Sequence, residues 1–183
     1  QAEDGIRDSV ASRGLGDVYK RQLISDTHYT LDERCFKYLK EAEEIWHAGD
    51  IGNLSVINKM ESFATIRCVW GNIDNNLIRS NFKETLCFRC EKVKVLITHI
   101  GGYPGKYNKK ILPMIEKESP NLFISGHSHI LKVIYDKKYE LLHMNPGAIG
   151  DYGVHKVKTI LVFKIRGSKI QDLNIIEFSR NKS

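Results

Sequence analysis

Five short motifs lie along this chain, each following a short, largely apolar run: Ser25-Asp26-Thr27-His28, Gly49-Asp50, Gly71-Asn72, Thr98-His99 and Gly126-His127-Ser128-His129. The preceding runs (Leu23-Ile24, Glu44-Ile45-Trp46, Cys68-Val69-Trp70, Val95-Leu96-Ile97, Leu122-Phe123-Ile124) have the length and residue types of buried strands. A chain that repeatedly ends a buried strand on polar ligands is constrained to an open α/β sheet, which collects its ligands at the carboxyl ends of its strands.

Helices are expected between the strands of the first half. Leu31, Cys35, Phe36, Leu39 and Ala42 have amphipathic helical spacing, and Val56, Ile57, Met60 and Phe63 repeat it over Ser55 to Phe63, with Ser55 as the cap. A third helix is expected over Lys106 to Glu118, where Pro113 argues for a kink or a late start. Leu77 to Phe82 is too short to assign. The second half reads as two hairpins, Leu131–Tyr135 with Glu140–His143 and Thr159–Ile165 with Ile170–Phe178. Strands with intervening helices, followed by hairpins, imply two sheets packed face to face with helices outside, in one domain of the α/β (α+β) class.

The first 22 residues carry a different message. Asp17-Val18-Tyr19-Lys20-Arg21-Gln22 resembles the translation of a transposon-type sequencing adaptor, and Ile6-Arg7-Asp8-Ser9 resembles the same adaptor in another frame. The segment has neither the apolar stretch of a signal peptide nor the Arg-rich balance of a transit peptide. Residues 1–22 are therefore expected to be non-native, with residues 23–183 as the functional domain and part of the first strand lost. Alternation through Val18, Lys20 and Gln22 lets the foreign residues stand in as strand. Their four basic and four acidic residues cancel, so the net charge of +6 belongs to the rest of the chain. That balance favours anionic partners. Lys106, Lys109 and Lys110 are the one basic cluster near a motif, either a solvated helix face or an attraction for phosphate. No basic stripe with interleaved aromatics accompanies them, so a nucleic acid polymer is not expected as partner. No apolar run reaches the roughly 20 residues of a membrane span, and the chain reads as cytoplasmic. Cys35 and Cys68 are expected reduced in the core, and Cys87-Phe88-Arg89-Cys90 lacks the second pair of a zinc knuckle.

The motifs themselves present two Asp, one Asn and four His. Asp26 and His28 are two apart and can reach one metal from a strand end. Asp50 follows a glycine, and its two oxygens allow it to bridge two ions about 3.5 to 4 Å apart. Imidazole mixed with carboxylate favours manganese, zinc, iron or nickel over magnesium or calcium.

The order Asp-x-His, Gly-Asp, Gly-Asn, His, Gly-His-x-His resembles that of the calcineurin-like metallophosphoesterases. The short spacings, His47-Ala48-Gly49-Asp50 and Asn145-Pro146-Gly147 look like their compact bacterial and archaeal phosphodiesterase branch, the YfcE-like proteins. The resemblance covers Leu23 to Glu177 and implies a four-layer αββα sandwich of two mixed sheets flanked by helices. It implies that Asp26, His28, Asp50 and His129 hold one divalent metal and Asp50, Asn72, His99 and His127 a second, with manganese the leading candidate. It further implies hydrolysis of phosphodiesters, and of some monoesters, by a hydroxide bridging the two ions. A small phosphodiester is the implied substrate and a homo-oligomer is compatible with the family.

One departure stands out: larger members place a His after the Gly-Asn pair to assist the leaving group, and here that position is Ile73. Small members of the branch also lack it. Asp74 is a candidate for orienting groups around the site, or a cap for the following turn. His47, His143 and His155 match no metal position; the first two read as supporting or core residues, and His155 as one that could approach substrate. The glycines of Ile100–Gly105 either bring backbone N–H groups to a phosphate or serve a tight turn. The alternative function is a non-catalytic scaffold of the same fold that binds a protein partner, as a eukaryotic retromer subunit does.

Overall fold

The structure, a computed structural model, describes residues 20–180. Strands β1 (Lys20–Ile24), β2 (Glu44–His47) and β3 (Thr65–Cys68) pair in parallel, with Leu23 opposite Trp46 and His47 opposite Cys68. Strands β11 (Val157–Arg166) and β12 (Lys169–Ser179) extend this sheet antiparallel from β1, giving the order β12-β11-β1-β2-β3. The second sheet is built on β5 (Val93–Thr98), β8 (Leu122–Ile124) and β10 (Leu141–Pro146), which are parallel. Antiparallel strands β4 (Thr85–Cys90) and β9 (Leu131–Asp136) form its edges, in the order β4-β5-β8-β10-β9. A small hairpin, β6 (Gly102–Tyr103) with β7 (Lys106–Tyr107), follows β5.

The two sheets face each other across an apolar layer. Leu23, Val95, Ile97, Ile124, Leu161 and Phe163 are wholly buried there, and Trp46 meets Phe88 and Phe163 edge to face. The outer face of the first sheet carries Ile24, Ile45 and Ile160 against α2 (Leu54–Glu61) and α3 (Asn76–Asn81), through Ile57, Met60 and Ile78. The outer face of the second carries Leu96 and Phe123 against Ile115 of α4 (Leu112–Glu118). Helix, sheet, sheet, helix is the expected four-layer αββα sandwich. No helix among the described residues is long and apolar enough to cross a membrane.

Local structure departs from the sequence reading in four places. The helix expected over Leu31–Ala42 is a 3-10 turn, Glu33–Cys35, followed by α1, only Phe36–Leu39. Asp32 starts it late by accepting from the Arg34 N–H, and the chain leaves through Glu41 N–H to Tyr38 O and Ala42 N–H to Leu39 O. The cap of α2 is Asn53, whose side chain accepts from Val56 N–H; Ser55 Oγ donates to that same Asn53 oxygen instead. Pro113 marks a late start, so α4 begins at Leu112 and Lys106 belongs to the β6–β7 hairpin. The lysine cluster is therefore not a helix face. Leu77 to Phe82, too short a stretch for its apolar spacing to show a helix, lies mostly in α3, capped by Asn75. Both expected hairpins form, and Cys35 and Cys68 are buried free thiols. The four cysteines are all free, and Cys87 and Cys90 fall on opposite sides of β4, one exposed and one buried.

Of the segment read as foreign, residues 1–19 lie outside the described residues, whereas Lys20, Arg21 and Gln22 complete β1. Arg21 is buried and reaches across the layers, with Nη2 3.1 Å from Cys90 Sγ and Nε 3.6 Å from Glu44. Gln22 is 1 % exposed; its amide N–H donates to Tyr38 O, while its Oε1 accepts nothing. We infer from these polar side chains at core positions that they replace an apolar stretch. Gln22→Ile is then expected to stabilise the fold by roughly 1 to 2 kcal/mol, since a desolvated unpaired oxygen is removed and apolar surface is added. Tyr38 O keeps its bond from Glu41 N–H. The check is urea unfolding: the midpoint should rise at unchanged slope, and a fall would count against the inference.

Candidate metal centre

All five motifs emerge where expected, at the carboxyl ends of β1, β2, β3, β5 and β8, and they converge. Asp26, His28 and His129 bring one ligand atom each within 4.8 Å of one another, and Asp50, His99 and His127 do the same beside them. Asp26 Oδ1 lies 3.2 Å from His129 Nε2, and His28 Nε2 lies 3.1 Å from His129 Nε2. In the second group His99 Nε2 is 3.1 Å from Asp50 Oδ1 and 3.1 Å from Asn72 Oδ1. Asp50 faces both groups, because its other oxygen, Oδ2, is 3.6 Å from His28 Nε2.

The donor set fits divalent cations. Asp26 Oδ1 is fully buried and accepts no hydrogen bond, an arrangement that is costly unless a cation completes it. His99 Nδ1–H donates to Ala48 O at 2.8 Å, which fixes the tautomer and leaves the Nε2 lone pair aimed at Asp50 and Asn72. Burial alone would lower the His99 pKa, but a hydrogen bond donated by the protonated ring to Asp50 and the charges of Asp26 and Asp50 outweigh it and raise it. At His28 burial wins over the same two carboxylates and the pKa falls.

The backbone at the centre is unusual. Asp26, His28, Asp50, His127 and His129 all have positive φ, between 43° and 67°, a region that non-glycine residues visit rarely. Loop-to-loop hydrogen bonds hold them there: Asp26 N–H to Gly49 O, His28 N–H to Asp50 O and Gly126 N–H to His99 O, each 3.0 Å. Nothing in the residue pattern signals this strain beyond the tolerance of Asp and His for it.

Asp74 lies buried between the loops after β2 and β3. Its Oδ2 accepts from Gly71 N–H at 2.7 Å and Ile51 N–H at 3.2 Å, and its Oδ1 from Gly52 N–H at 2.7 Å. With both oxygens so engaged, it ties together the loops that carry Asp50 and Asn72. His47 plays a similar part: its Nδ1 accepts from Gly49 N–H and its Nε2 lies 3.0 Å from the hydroxyl of Thr27, which in turn donates to Ile51 O. His155 packs its ring 5.3 Å from that of His129, and Tyr152 sits 5.0 Å from His28, so residues 152–155 flank the first ligand group. Tyr152 carried no signal in the sequence, nor did Lys158, which is buried and paired with Asp32 at 2.9 Å and Asp151 at 2.6 Å beneath this loop. The glycines after Ile100 serve the hairpin turn, Gly102 and Gly105 having φ of 74° and 85°.

His143 is wholly buried against Ser125 Oγ and the Phe123 ring. Burial, aided by Lys132, pushes its pKa down to about 4. The folded value lies below the unfolded value of about 6.5, so the unfolded chain binds more protons between them and stability falls as pH drops through that window. His143 is expected to account for on the order of 3 kcal/mol of loss between pH 6.5 and 4. Urea midpoints of the metal-free protein across that range, with His143→Gln flattening the slope, provide the check. An unchanged slope in the variant would overturn it.

Comparison with known proteins places this geometry. The family model of the calcineurin-like phosphoesterase superfamily domain matches residues 20–168. The chain belongs to that superfamily. It is 27% identical over 131 residues to a protein of Methanothermobacter thermautotrophicus described as "Probable metallophosphoesterase", covering 69% of this chain and 74% of that one. A protein of the same description from Methanocaldococcus jannaschii is 28% identical over 140 residues, 73% of this chain and 70% of its own. Among solved structures, Vps29 of Entamoeba histolytica complexed with zinc superposes with a TM-score of 0.69 at 15% identity, over 88% of this chain and 99% of that one. A Thermotoga maritima protein solved in solution gives 0.65 at 20% identity, over 88% and 100%. At such identities these structures establish the fold.

Proposed function

We propose that this chain is a metal-dependent phosphoesterase that hydrolyses phosphodiesters and some phosphomonoesters, and that it sits with the compact YfcE-like branch of its superfamily. The observation that carries the reading is Asp50, whose two oxygens face two ligand groups, 3.1 Å from His99 and 3.6 Å from His28. Asp26, His28, Asp50 and His129 would hold one ion, and Asp50, Asn72, His99 and His127 the other. Two such ions, with manganese the leading candidate, would lower the pKa of a bound water and offset charge on the phosphoryl oxygens. The chain supplies the rest. Asp74 and His47 fix the loops so that the ligands need little rearrangement, which is the preorganisation that favours a developing charge over solvent. Ile73 donates its N–H to Asp50 Oδ1 at 3.1 Å and offers no side-chain proton to the leaving group.

A second reading, a scaffold that binds a protein partner, is supported by the likeness to Vps29, one structure of which, from Chaetomium thermophilum, is complexed with a cyclic peptide. One experiment separates the two. Hydrolysis of bis(p-nitrophenyl) phosphate is expected to vanish on thorough chelation and return with manganese, at two ions per chain. Turnover that survives metal removal would overturn the two-ion reading. Fewer than one ion per chain, with no turnover, would favour the scaffold.

A further inference from the structure

Two cavities open on the second ligand group from different sides. The first, about 320 Å³, reaches His127 and is bounded by Tyr103, Lys106, Ser128, Lys132 and Asn145. The second, about 460 Å³, reaches Asn72 and His99 and is bounded by Trp70, Arg79, Ile111 and Met114. Ile100 and Asn108 line both. Each volume falls in the range of small-molecule sites.

Their chemistries differ. The first has no carboxylate among its lining residues and holds two ammonium groups, with Lys132 Nζ 3.6 Å from the centre of the Tyr103 ring. Its wall is the β6–β7 hairpin, pinned by the Tyr107 hydroxyl donating to Asp136 at 2.7 Å. The second cavity is of mixed polarity, with Glu84, Lys110 and Asn72 beside Trp70, Ile111 and Met114. The Arg79 guanidinium lies 4.5 Å from the centre of the Trp70 ring and is held by donating to Asp74 O and Asn72 O. A planar cation backed by an indole is a stacking platform for a ring, and the Met114 thioether in the same cavity suits a ring's edge.

Resting on the phosphodiesterase reading, we propose that the substrate is an unsymmetrical phosphodiester whose ring-bearing arm lies in the Trp70–Met114 cavity and whose second arm, carrying an anion, lies in the Lys106–Lys132 cavity. A phosphate at the His99 and His127 ligand group sends one ester arm into each. A phosphomonoester leaves one cavity empty. The anion is a carboxylate or a further phosphate, either of which the two ammonium groups accept.

The test uses the tryptophans. Trp46 is sealed in the core, whereas Trp70 borders the cavity, and a nitrophenyl ring beside it quenches its fluorescence. Manganese-loaded protein is titrated with methyl p-nitrophenyl phosphate, the p-nitrophenyl diester of phosphoglycolate and that of phosphocholine, before appreciable turnover. Quenching is expected with all three and absent in Trp70→Phe. The phosphoglycolate ester is expected to bind about tenfold tighter than the phosphocholine ester, and Lys106→Glu with Lys132→Glu to invert that order. Met114→Glu should weaken all three. A phosphate in place of the carboxylate, as the corresponding ester of ethylene glycol monophosphate, tells the two anion sources apart by which binds tighter; equal weakness of both relative to the methyl ester would overturn the anionic arm. Chelator-sensitive release of nitrophenolate without Trp70 quenching would overturn the ring cavity and leave the hydrolase reading standing. Quenching in the expected charge order with no release would uphold the cavities and overturn the hydrolase reading.

Discussion

Asp50→Asn is expected to lower phosphodiester turnover by roughly a thousandfold or more while leaving the fold intact. Losing a group that merely supports a ligand costs about ten- to a hundredfold, and Asp50 is placed to serve two ligand groups at once. Its Oδ1 lies against His99 and its Oδ2 against His28. The amide keeps the size of the carboxylate and one oxygen for the Ile73 N–H. What it loses is the negative charge and the second oxygen donor. Binding of both ions should therefore weaken together, to fewer than one per chain at a concentration that saturates the original protein, with little change in the melting temperature of the metal-free form. Asp26→Asn is the comparison, since Asp26 Oδ1 lies nearer the first group, 3.2 Å from His129 and 3.8 Å from His28, than the second, 4.0 Å from His99. It should weaken one ion more than the other. If Asp50→Asn retains two ions and near-normal turnover, the bridging role is wrong and the ligands must be redistributed.

The fold was readable because the layers impose a period. Leu122-Phe123-Ile124 is apolar at every position, as a strand buried on both faces must be. In the hairpin β11–β12 the first strand is buried along most of its length and carries the unbroken apolar run Ile160–Phe163, whereas the second is largely exposed and mixes apolar with polar residues. Helices were read less well, and for a local reason. Over Leu31–Ala42 the apolar spacing is helical, yet side-chain bonds at Asp32 capture the start of the segment, and burial of Cys35 and Leu39 is achieved by a single turn on either side. Hydrophobic periodicity reports which face is buried; it does not report how many backbone bonds the segment completes.

At the site, residue types were legible and backbone was not. Gly-Asp and Gly-Asn announced turns at β2 and β3, and four histidines after strand ends announced nitrogen donors. The left-handed conformation of five of these residues, by contrast, is imposed by partners far apart in the chain, such as His127 N–H donating to Asp26 Oδ2 across 101 positions. Trp70 and Arg79 were invisible for the same reason. Their stacking depends on the turn after Asn72, which returns the chain so that Arg79 reaches the carbonyls of Asn72 and Asp74.

That dependence on close backbone approach yields the second large effect, at Gly71. A Cβ there would strike the backbone N and the Oδ1 of Asp50 and come within 2.8 Å of His99 Cδ2. None of these can give way cheaply. The Asp50 backbone is already at positive φ, the His99 ring is fixed by Ala48 O, and Gly71 itself is tied to Asp74 by its N–H. Gly71→Ala is therefore expected to cost roughly 2 to 4 kcal/mol of stability and to separate Asp50 from His99, with loss of the second ion and of turnover. Gly105→Ala isolates the backbone contribution. Its φ is 85°, but an added Cβ meets nothing within 4 Å, so about 1 kcal/mol is expected and both ions should remain. Thermal melts of the metal-free proteins and calorimetric titration with manganese measure the two effects separately. A Gly71→Ala protein that melts within a degree of the original and still binds two ions would show that the loops after β2 and β3 are not packed as tightly as the Asp50 geometry requires.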